Sequence, residues 1–141
     1  MFRRDENNEI QYLVLQYRNP HWEFPRGHKE KGETDEETAR REIFEETGIS
    51  KMEMLSGFSE NTYFFYIARG SEREKRKTNE SGIYIFKKAK FFLAETKETE
   101  VKLSHEQLDY AWLSYEQALE KVTYKNAKNV LKKAQEFLER R

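Results

Sequence analysis

The sequence predicts an α/β fold, in which buried strands and capped helices alternate along one chain. Ile10–Tyr17 (IQYLVLQY) is apolar through its middle, which is typical of a strand buried on both faces. Residues 34–47 are predicted to form a helix, because Thr34 and Glu37 make a capping box and Gly48 stands where a left-handed C-terminal cap is expected. The length of 141 residues, without a linker that separates two units, favours a single domain over residues 1–141.

The remaining elements follow from the same periodicities. Asn19-Pro20 ends the first strand, and residues 21–32 are predicted to be a loop. Further strands are predicted at residues 53–58, 63–68, 83–86, 90–94 and 110–113. Ser114 and Gln117 make a second capping box for a short helix to about residue 120. An apolar stripe at helical spacing predicts a last helix over residues 125–140.

The composition excludes several classes of protein. The 26 basic and 26 acidic residues cancel to zero net charge, although charged residues make up 37% of the chain. No apolar run approaches the roughly 18 residues of a membrane span, and the first residues lack the apolar stretch of a signal peptide. Without Cys there is no disulfide and no Cys-based zinc site. We therefore expect a soluble, cytoplasmic protein with no membrane partner, and zero net charge makes a general nucleic-acid partner unexpected.

One segment departs from this charge balance. Residues 69–90 carry eight basic and three acidic side chains, a net charge of +5, so the rest of the chain carries −5. Residues 71–77 are interpreted as the solvated tip of a hairpin loop. The alternative is that the segment guides a polyanionic ligand electrostatically.

Residues 27–49 concentrate carboxylates on one face of the predicted helix. At about 100° per residue and with Ala39 at 0°, four charged side chains fall on one face, from roughly 200° to roughly 340°: Arg41, Glu45, Glu42 and Glu46. Carboxylates this close raise one another's pKa unless a cation lies between them, and Mg²⁺ prefers several oxygen ligands. The alternative in a chain with 23 Glu is a solvated glutamate-rich face. Glu33, just before the helix, is expected to pair with Arg41 and hold the loop against it.

The same residues resemble the signature of the Nudix hydrolases, G-x5-E-x7-R-E-U-x-E-E-x-G-U, where U is bulky and apolar. The signature is met at every position: Gly27, Glu33, Arg41, Glu42, Ile43, Glu45, Glu46, Gly48 and Ile49. The resemblance implies an α/β/α sandwich around a mixed central sheet, with the signature in a catalytic loop–helix–loop. It implies hydrolysis of a nucleoside diphosphate derivative by attack of water on phosphorus.

The resemblance also implies roles for these residues. Mg²⁺, with Mn²⁺ as the alternative, would be held by the carboxylates of Glu42, Glu45 and Glu46 and by the Gly27 carbonyl. Glu42 would be a metal ligand or the general base, and Arg41 would orient the carboxylates. The position of the base differs among members of the family, so the signature leaves that role open.

Segments outside the signature resemble the asymmetric bis(5'-nucleosyl)-tetraphosphatases of this family. Residues 21–28 (HWEFPRGH) precede the signature, and residues 91–94, 103–106, 110–113 and 124–127 follow it in the same order. This resemblance implies cleavage of a small-molecule nucleotide, diadenosine tetraphosphate, to ATP and AMP. Glu106 becomes a further metal ligand or base, with a surface position as the alternative. The implied substrate-binding residues are Arg26, His28, Lys90, Phe91 and Tyr124.

Several alternatives stay open. Phe91 and Tyr124 are also suited to packing, and Arg26 stands where the subfamily usually has Lys. The basic segment 69–90 motivates action on triphosphorylated RNA 5' ends, and a catalytically silent nucleotide-binding regulator is a third possibility. The family normally starts with an apolar strand before an Arg-rich turn like Arg3-Arg4. Here we expect that strand to be truncated or replaced by a later segment.

Overall fold

The protein is described by a computed structural model that covers residues 1–78 and 82–141. In chain order, these residues form the following elements: β1 (Phe2–Arg4), β2 (Ile10–Tyr17), β3 (His21–Glu23), α1 (Asp35–Thr47), β4 (Glu53–Met54), β5 (Glu60–Ile67), α2 (Gly70–Thr78), β6 (Tyr84–Phe91), β7 (Ala94–Glu95), β8 (Gln107–Leu113), α3 (Tyr115–Lys121) and α4 (Lys125–Glu139). Within this described part, no helix combines the length and the apolar character that crossing a membrane requires.

The main sheet is organised around β2. One edge of β2 pairs antiparallel with β1 near Ile10 and with β3 near Tyr17, and the other edge pairs antiparallel with β8. On the far side of β1 lies β7, which pairs with it in parallel, followed by β4. The sheet is therefore mixed. β5 and β6 form a separate antiparallel hairpin in register from Glu60↔Phe91 to Ile67↔Tyr84.

Helices cover both faces of the main sheet. Successive side chains of β2 point to opposite faces, so β2 contributes apolar residues to the core on each side. Tyr12 and Val14 belong to a core cluster shared with α3 and α4. Leu13 and Leu15 belong to a second cluster, which includes Ile43 of α1. This arrangement is the predicted α/β/α sandwich, and its layers place α1 on one face and the C-terminal helices on the other.

The elements with strong local signals are confirmed. β2 has its predicted bounds, and α1 starts where the Thr34 hydroxyl accepts from the Glu37 N–H at 3.1 Å. α1 ends at Gly48, whose φ is 74° and whose N–H donates to the Phe44 carbonyl at 2.8 Å. The Ser114–Gln117 capping box opens α3. α4 ends at Glu139, one residue before the predicted end.

Several strand predictions need correction. β6 is one continuous strand from Tyr84 to Phe91, because β5 pairs with it along its whole length. It joins most of the predicted strand 83–86 to the first two residues of the predicted strand 90–94, whose last residue, Ala94, begins β7. The predicted strand 53–58 shrinks to two residues, since the chain turns at Ser56 and Gly57, where Gly57 has a φ of 91°. The predicted loop 21–32 begins with β3, which extends the sheet along β2.

Two charged segments were also assigned wrongly. Residues 71–77 lie in α2 rather than in a loop tip, which follows from their high content of Glu, Lys and Arg, all good helix formers. Arg3 and Arg4 do not form a turn but lie in β1, between β2 and β7. The turn comes after them, where the Asp5 carboxylate accepts from the N–H groups of Asn7 and Glu9, each at 2.9 Å.

Candidate active site

Arg41 connects the loop before α1 to the acidic face of the helix. Its Nε donates to Glu33 Oε2 at 2.7 Å and its Nη2 to Glu33 Oε1 at 3.0 Å, which confirms the predicted pair. Nη1 donates to Glu42 Oε1 at 2.8 Å and to Glu45 Oε2 at 3.2 Å. Nη2 also donates to the carbonyl oxygen of His28 at 2.7 Å. The hydrogen bonds from Arg41 lower the pKa of Glu33 to about 2 and raise the pKa of Arg41 itself.

Glu42 lies directly against the backbone of Gly27. A Cβ atom at position 27 would come within 1.8 Å of the Glu42 carboxyl carbon, so the close approach requires glycine. Partial burial raises the pKa of Glu42, and the negative charge of Glu45 raises it further, while Arg41 opposes both effects. The Glu42 carboxylate and the Gly27 backbone therefore converge at one place.

Glu46 is the buried carboxylate of the site, with only 4% of its surface exposed. Its Oε1 accepts from the Arg26 N–H at 3.1 Å, and its Oε2 accepts from the Tyr17 hydroxyl at 2.5 Å and from Gln107 Nε2 at 2.8 Å. Burial raises the pKa of Glu46 to about 7 although the bonds from Tyr17 and Arg26 lower it. The nearby negative charges of Glu42 and Glu106 also raise it.

Glu106 lies in the loop just before β8, with an exposed side chain. Its carbonyl oxygen accepts from the Arg18 N–H at 3.1 Å, and its own N–H donates to the Ser104 hydroxyl at 3.2 Å. The loop is thus tied to the end of β2. This position brings the Glu106 charge near enough to Glu46 to act on its pKa.

The donor set of the site suits a hard divalent cation. The charge of Glu45 raises the pKa of Glu42, and the charges of Glu42 and Glu106 raise the pKa of Glu46. All the candidate ligands are oxygen atoms, which Mg²⁺ prefers. Among residues 1–78 and 82–141, no three acidic or histidine side chains are already arranged as a metal site. The reason is visible in the hydrogen bonds, since Arg41 holds Glu42 and Glu45 while Tyr17 and Gln107 hold Glu46.

A cavity of about 400 Å³ opens beside the signature loop. Its walls come from the loop before α1, from β6 and from the core beneath α4, and they include four predicted substrate-binding residues: Arg26, His28, Lys90 and Phe91. The Nζ of Lys90 lies 3.6 Å from Asp35 Oδ2, at the first residue of α1. The Arg26 guanidinium lies over the ring of Phe64, 5.1 Å from its centroid. Positive side chains therefore line this cavity, and its loop wall contacts the carboxylates from the other side, through the Arg26 N–H to Glu46 and through Gly27 against Glu42.

Phe91 and Tyr124 occupy different environments. Phe91 is 8% exposed and packs in the core cluster of α3 and α4 while it lines the cavity. Tyr124 is 49% exposed and stands at the N-cap of α4, outside the cavity wall. Its ring contacts His21 at 5.4 Å between centroids, and His21 stacks on Tyr17 at 5.0 Å. A row of rings therefore leads from Tyr124 to the hydroxyl that binds Glu46.

Sequence reasoning missed Tyr17 and Gln107, the two side chains that hold Glu46. They are partners in the register between β2 and β8, and that register has an irregularity just before Tyr17. The prediction began β8 at residue 110, three residues too late, so Gln107 was assigned to a loop. Extending the predicted pairing of β2 with β8 to the end of β2 would have placed Gln107 opposite Tyr17.

Comparisons with known proteins agree with this geometry. A family model described as the NUDIX domain matches residues 1–134. The bis(5'-nucleosyl)-tetraphosphatase [asymmetrical] of Mus musculus is 36% identical over 139 residues, which cover 94% of this chain and 84% of the mouse protein. The RNA pyrophosphohydrolase of a Sulfurovum species is 32% identical over 111 residues, covering 73% of this chain and 64% of that protein.

A solved structure supports the same assignment. The binary complex of the C. elegans Ap4A hydrolase has a TM-score of 0.78 and 26% identity, covering 98% of this chain and 92% of that chain. The signature, the sandwich around the mixed sheet and these similarities over nearly the whole chain lead to one conclusion. The chain belongs to the Nudix family of hydrolases.

Proposed function

We propose that this Nudix hydrolase is an asymmetric bis(5'-nucleosyl)-tetraphosphatase, which cleaves diadenosine tetraphosphate to ATP and AMP with Mg²⁺ or Mn²⁺. One observation carries the proposal: Arg41 joins Glu33, Glu42 and Glu45 to the signature loop at the edge of a cavity with cationic walls. The mouse relative that bears this name covers 94% of the chain. The loop of Arg26, Gly27 and His28 lines the cavity and also contacts Glu46, Glu42 and Arg41, so a polyphosphate bound along this loop would meet positive side chains beside the carboxylates.

The residues present fit a divalent cation at the carboxylates. Its ligands would come from Glu42, Glu45, Glu46, Glu106 and the carbonyl oxygen of Gly27. When bound, such a cation polarises the phosphoryl oxygen, offsets the charge that develops on it and lowers the pKa of water. The Glu42 carboxylate lies so close to the Gly27 backbone that an added methyl group would clash with it, which puts two of these candidate ligand residues side by side.

The side chains of the chain itself have separate tasks in this proposal. Arg41 orients Glu42 and Glu45 and reduces their mutual repulsion. Glu42 and Glu106 are the two candidates for the general base that takes a proton from water, because both face the site and neither is held as tightly as Glu46. Arg26, His28 and Lys90 bind the polyphosphate. Tyr124 and Phe91 are the candidate stacking residues for the nucleobases.

Product analysis tests the proposal. Diadenosine tetraphosphate is incubated with the protein and Mg²⁺, and the products are separated by chromatography. We expect ATP and AMP in equal amounts, whereas two molecules of ADP would show a symmetric cleavage and refute the assignment. Glu42→Gln should lose at least 100-fold in kcat while it stays folded. The matched control is Glu36→Gln, which lies on the same helix and pairs with Arg40 outside the network.

Triphosphorylated RNA 5' ends are the second candidate substrate. The basic side chains of β6 and the similarity to the Sulfurovum RNA pyrophosphohydrolase favour it. Comparing kcat/KM on a triphosphorylated RNA and on diadenosine tetraphosphate decides between the two substrates. Nucleotide binding without any metal-dependent cleavage of either substrate would instead indicate a silent regulator, although the complete set of carboxylates argues against it.

A further inference from the structure

The β5–β6 hairpin exposes an unusual amount of aromatic surface. Side chains alternate between its two faces, and one face carries five large apolar residues that are 41–69% exposed: Tyr63, Phe65, Ile67, Tyr84 and Phe86. We call these five residues the hairpin face. Soluble proteins seldom leave contiguous apolar surface of this kind uncovered unless it binds something.

The rings of the hairpin face are already ordered in pairs. Tyr63 and Phe86 stack with centroids 5.8 Å apart and planes 21° apart. Phe65 and Tyr84 stack with centroids 5.7 Å apart and planes 14° apart. Aligned, preorganised rings present flat surfaces on which other planar groups stack at little entropic cost.

The hairpin face continues into the cavity of the active site through two lysines. Residues of a strand that differ by two point to the same face, so Lys88 and Lys90 project with Phe86 and Tyr84. Both lysines line the cavity beside the signature loop. From Lys90 to Tyr84 the strand rises by about 20 Å, at roughly 3.4 Å per residue. Positive charge at the cavity thus leads directly to a row of rings.

The size of the hairpin face argues against a second copy of the chain as its partner. Aromatic residues bury about 150–250 Å² each when fully covered, so the exposed parts of these side chains amount to roughly 500 Å². Stable protein interfaces bury about 800 Å² on each partner. Lys88 and Lys90 on the same strand face also favour a negatively charged partner, with Lys88 the stronger contributor because Lys90 already lies 3.6 Å from Asp35.

We propose that the hairpin face binds a short single-stranded nucleic acid whose backbone reaches the cavity at one end. Phosphates contact Lys88 and Lys90, and the following bases stack on Phe86, Phe65 and their ring partners. Lysines combined with aromatic rings on an open sheet are the means by which proteins hold single strands with little sequence preference. This binding surface goes beyond the proposed hydrolysis of dinucleoside tetraphosphates and does not depend on it.

The test measures binding alone. Single-stranded RNA and DNA of ten nucleotides, with the same sequence and a fluorescent label at the 3' end, are titrated in EDTA and followed by fluorescence anisotropy. The double variant Phe65→Leu/Phe86→Leu keeps the apolar character but removes both π-faces. We expect its affinity to fall at least tenfold, since each stacked base commonly contributes about this factor. Lys88→Gln should reduce the salt dependence by about one phosphate contact.

A matched control and three outcomes make the test decisive. Phe44→Leu removes a ring that is 56% exposed on α1, away from the hairpin, and should leave the affinity unchanged. Equal binding by the wild type and the double leucine variant would overturn the proposal, as would equal affinity for a duplex. Light scattering that finds a wild-type dimer and a monomeric variant would assign the face to a second copy. The ratio of RNA to DNA affinity identifies which nucleic acid is preferred. Because the assay contains no metal, its result is independent of the proposed hydrolysis.

Discussion

Arg41 is the residue on which the arrangement of the site most depends. Its guanidinium donates to Glu33 and to the His28 carbonyl on the loop side, and to Glu42 and Glu45 on the helix side. One planar group therefore fixes the distance between loop and helix and offsets repulsion among three carboxylates. A lysine could not replace it, because a single ammonium group has neither the donors nor the geometry for four partners.

Gly27→Ala tests whether the approach of the loop to the helix matters for catalysis. The added methyl group would lie 1.8 Å from the Glu42 carboxyl carbon, so either the carboxylate or the loop must move. Displacements of about 1 Å in a site commonly cost 100-fold in rate, and we expect a loss of that size in kcat on diadenosine tetraphosphate. Gly82→Ala is the control, since a Cβ there meets nothing within 4 Å. Unchanged kcat in Gly27→Ala would mean that Glu42 has room to move without loss of function.

The Glu33–Arg41 pair should make stability depend on pH in a defined window. The folded-state pKa of Glu33 is lowered to about 2 from its ordinary value of 4.5, so its carboxylate stabilises the fold above about pH 4.5. That contribution is lost as the pH falls towards 2. We expect Glu33→Gln to melt at a lower temperature than the wild type at pH 6, and the difference to shrink steadily below pH 4.5.

Thermal unfolding followed by circular dichroism at a series of pH values measures this difference. Glu120→Gln removes the same charge from an exposed position on α3 and reports the effect of net charge alone. A Glu33→Gln difference that persists undiminished at pH 2 would show that the pair acts through packing rather than through the ionised carboxylate.

At the scale of elements, the sequence predicted the helices and strands whose capping residues or apolar spacing lie within the element itself. α1 has cap residues at both ends, and the position of Glu33 just before the N-cap predicted its pairing with Arg41. The continuous strand β6 was not predicted, because only its pairing with β5 makes a lysine-containing segment extended. The contacts of Tyr17 and Gln107 with Glu46 were not predicted either, because they depend on the register between β2 and β8.

Thr34→Ala tests the contribution of the α1 cap. The Thr34 hydroxyl accepts from the Glu37 N–H at 3.1 Å, and the loss of such a cap typically costs about 1 kcal/mol of unfolding free energy. Urea denaturation should show this loss, and Thr34→Ser should retain most of the stability because serine supplies the same oxygen. A Thr34→Ser variant as unstable as Thr34→Ala would locate the effect in the lost methyl group instead.

At the scale of the whole molecule, β2 connects the two layers that position the site. Its Leu13 and Leu15 support α1 from below, and its last residue, Tyr17, binds Glu46. The charge separation seen in the sequence has a spatial counterpart, since Lys88 and Lys90 of β6 line the cavity with Asp35 of α1, while Glu42 and Glu46 contact the loop that forms another wall of the cavity. The main sheet therefore determines where the acidic helix lies, and the separate β5–β6 hairpin carries the basic strand.

Two core substitutions, one on each face of the sheet, test whether the core beneath α1 maintains the active site in addition to stabilising the fold. Leu13 and Val122 are both almost fully buried, Leu13 in the cluster beneath α1 and Val122 in the cluster of the C-terminal helices. Leu13→Ala should cost about 2–5 kcal/mol, and Val122→Ala about 1.5 kcal/mol or more. Only Leu13→Ala leaves a cavity beneath the helix that carries the carboxylates. We therefore expect it to lower kcat at a temperature where both variants are fully folded by circular dichroism, with Val122→Ala close to the wild type. Equal kcat values for the two variants would show that Arg41 and the loop hold the site without help from the core below.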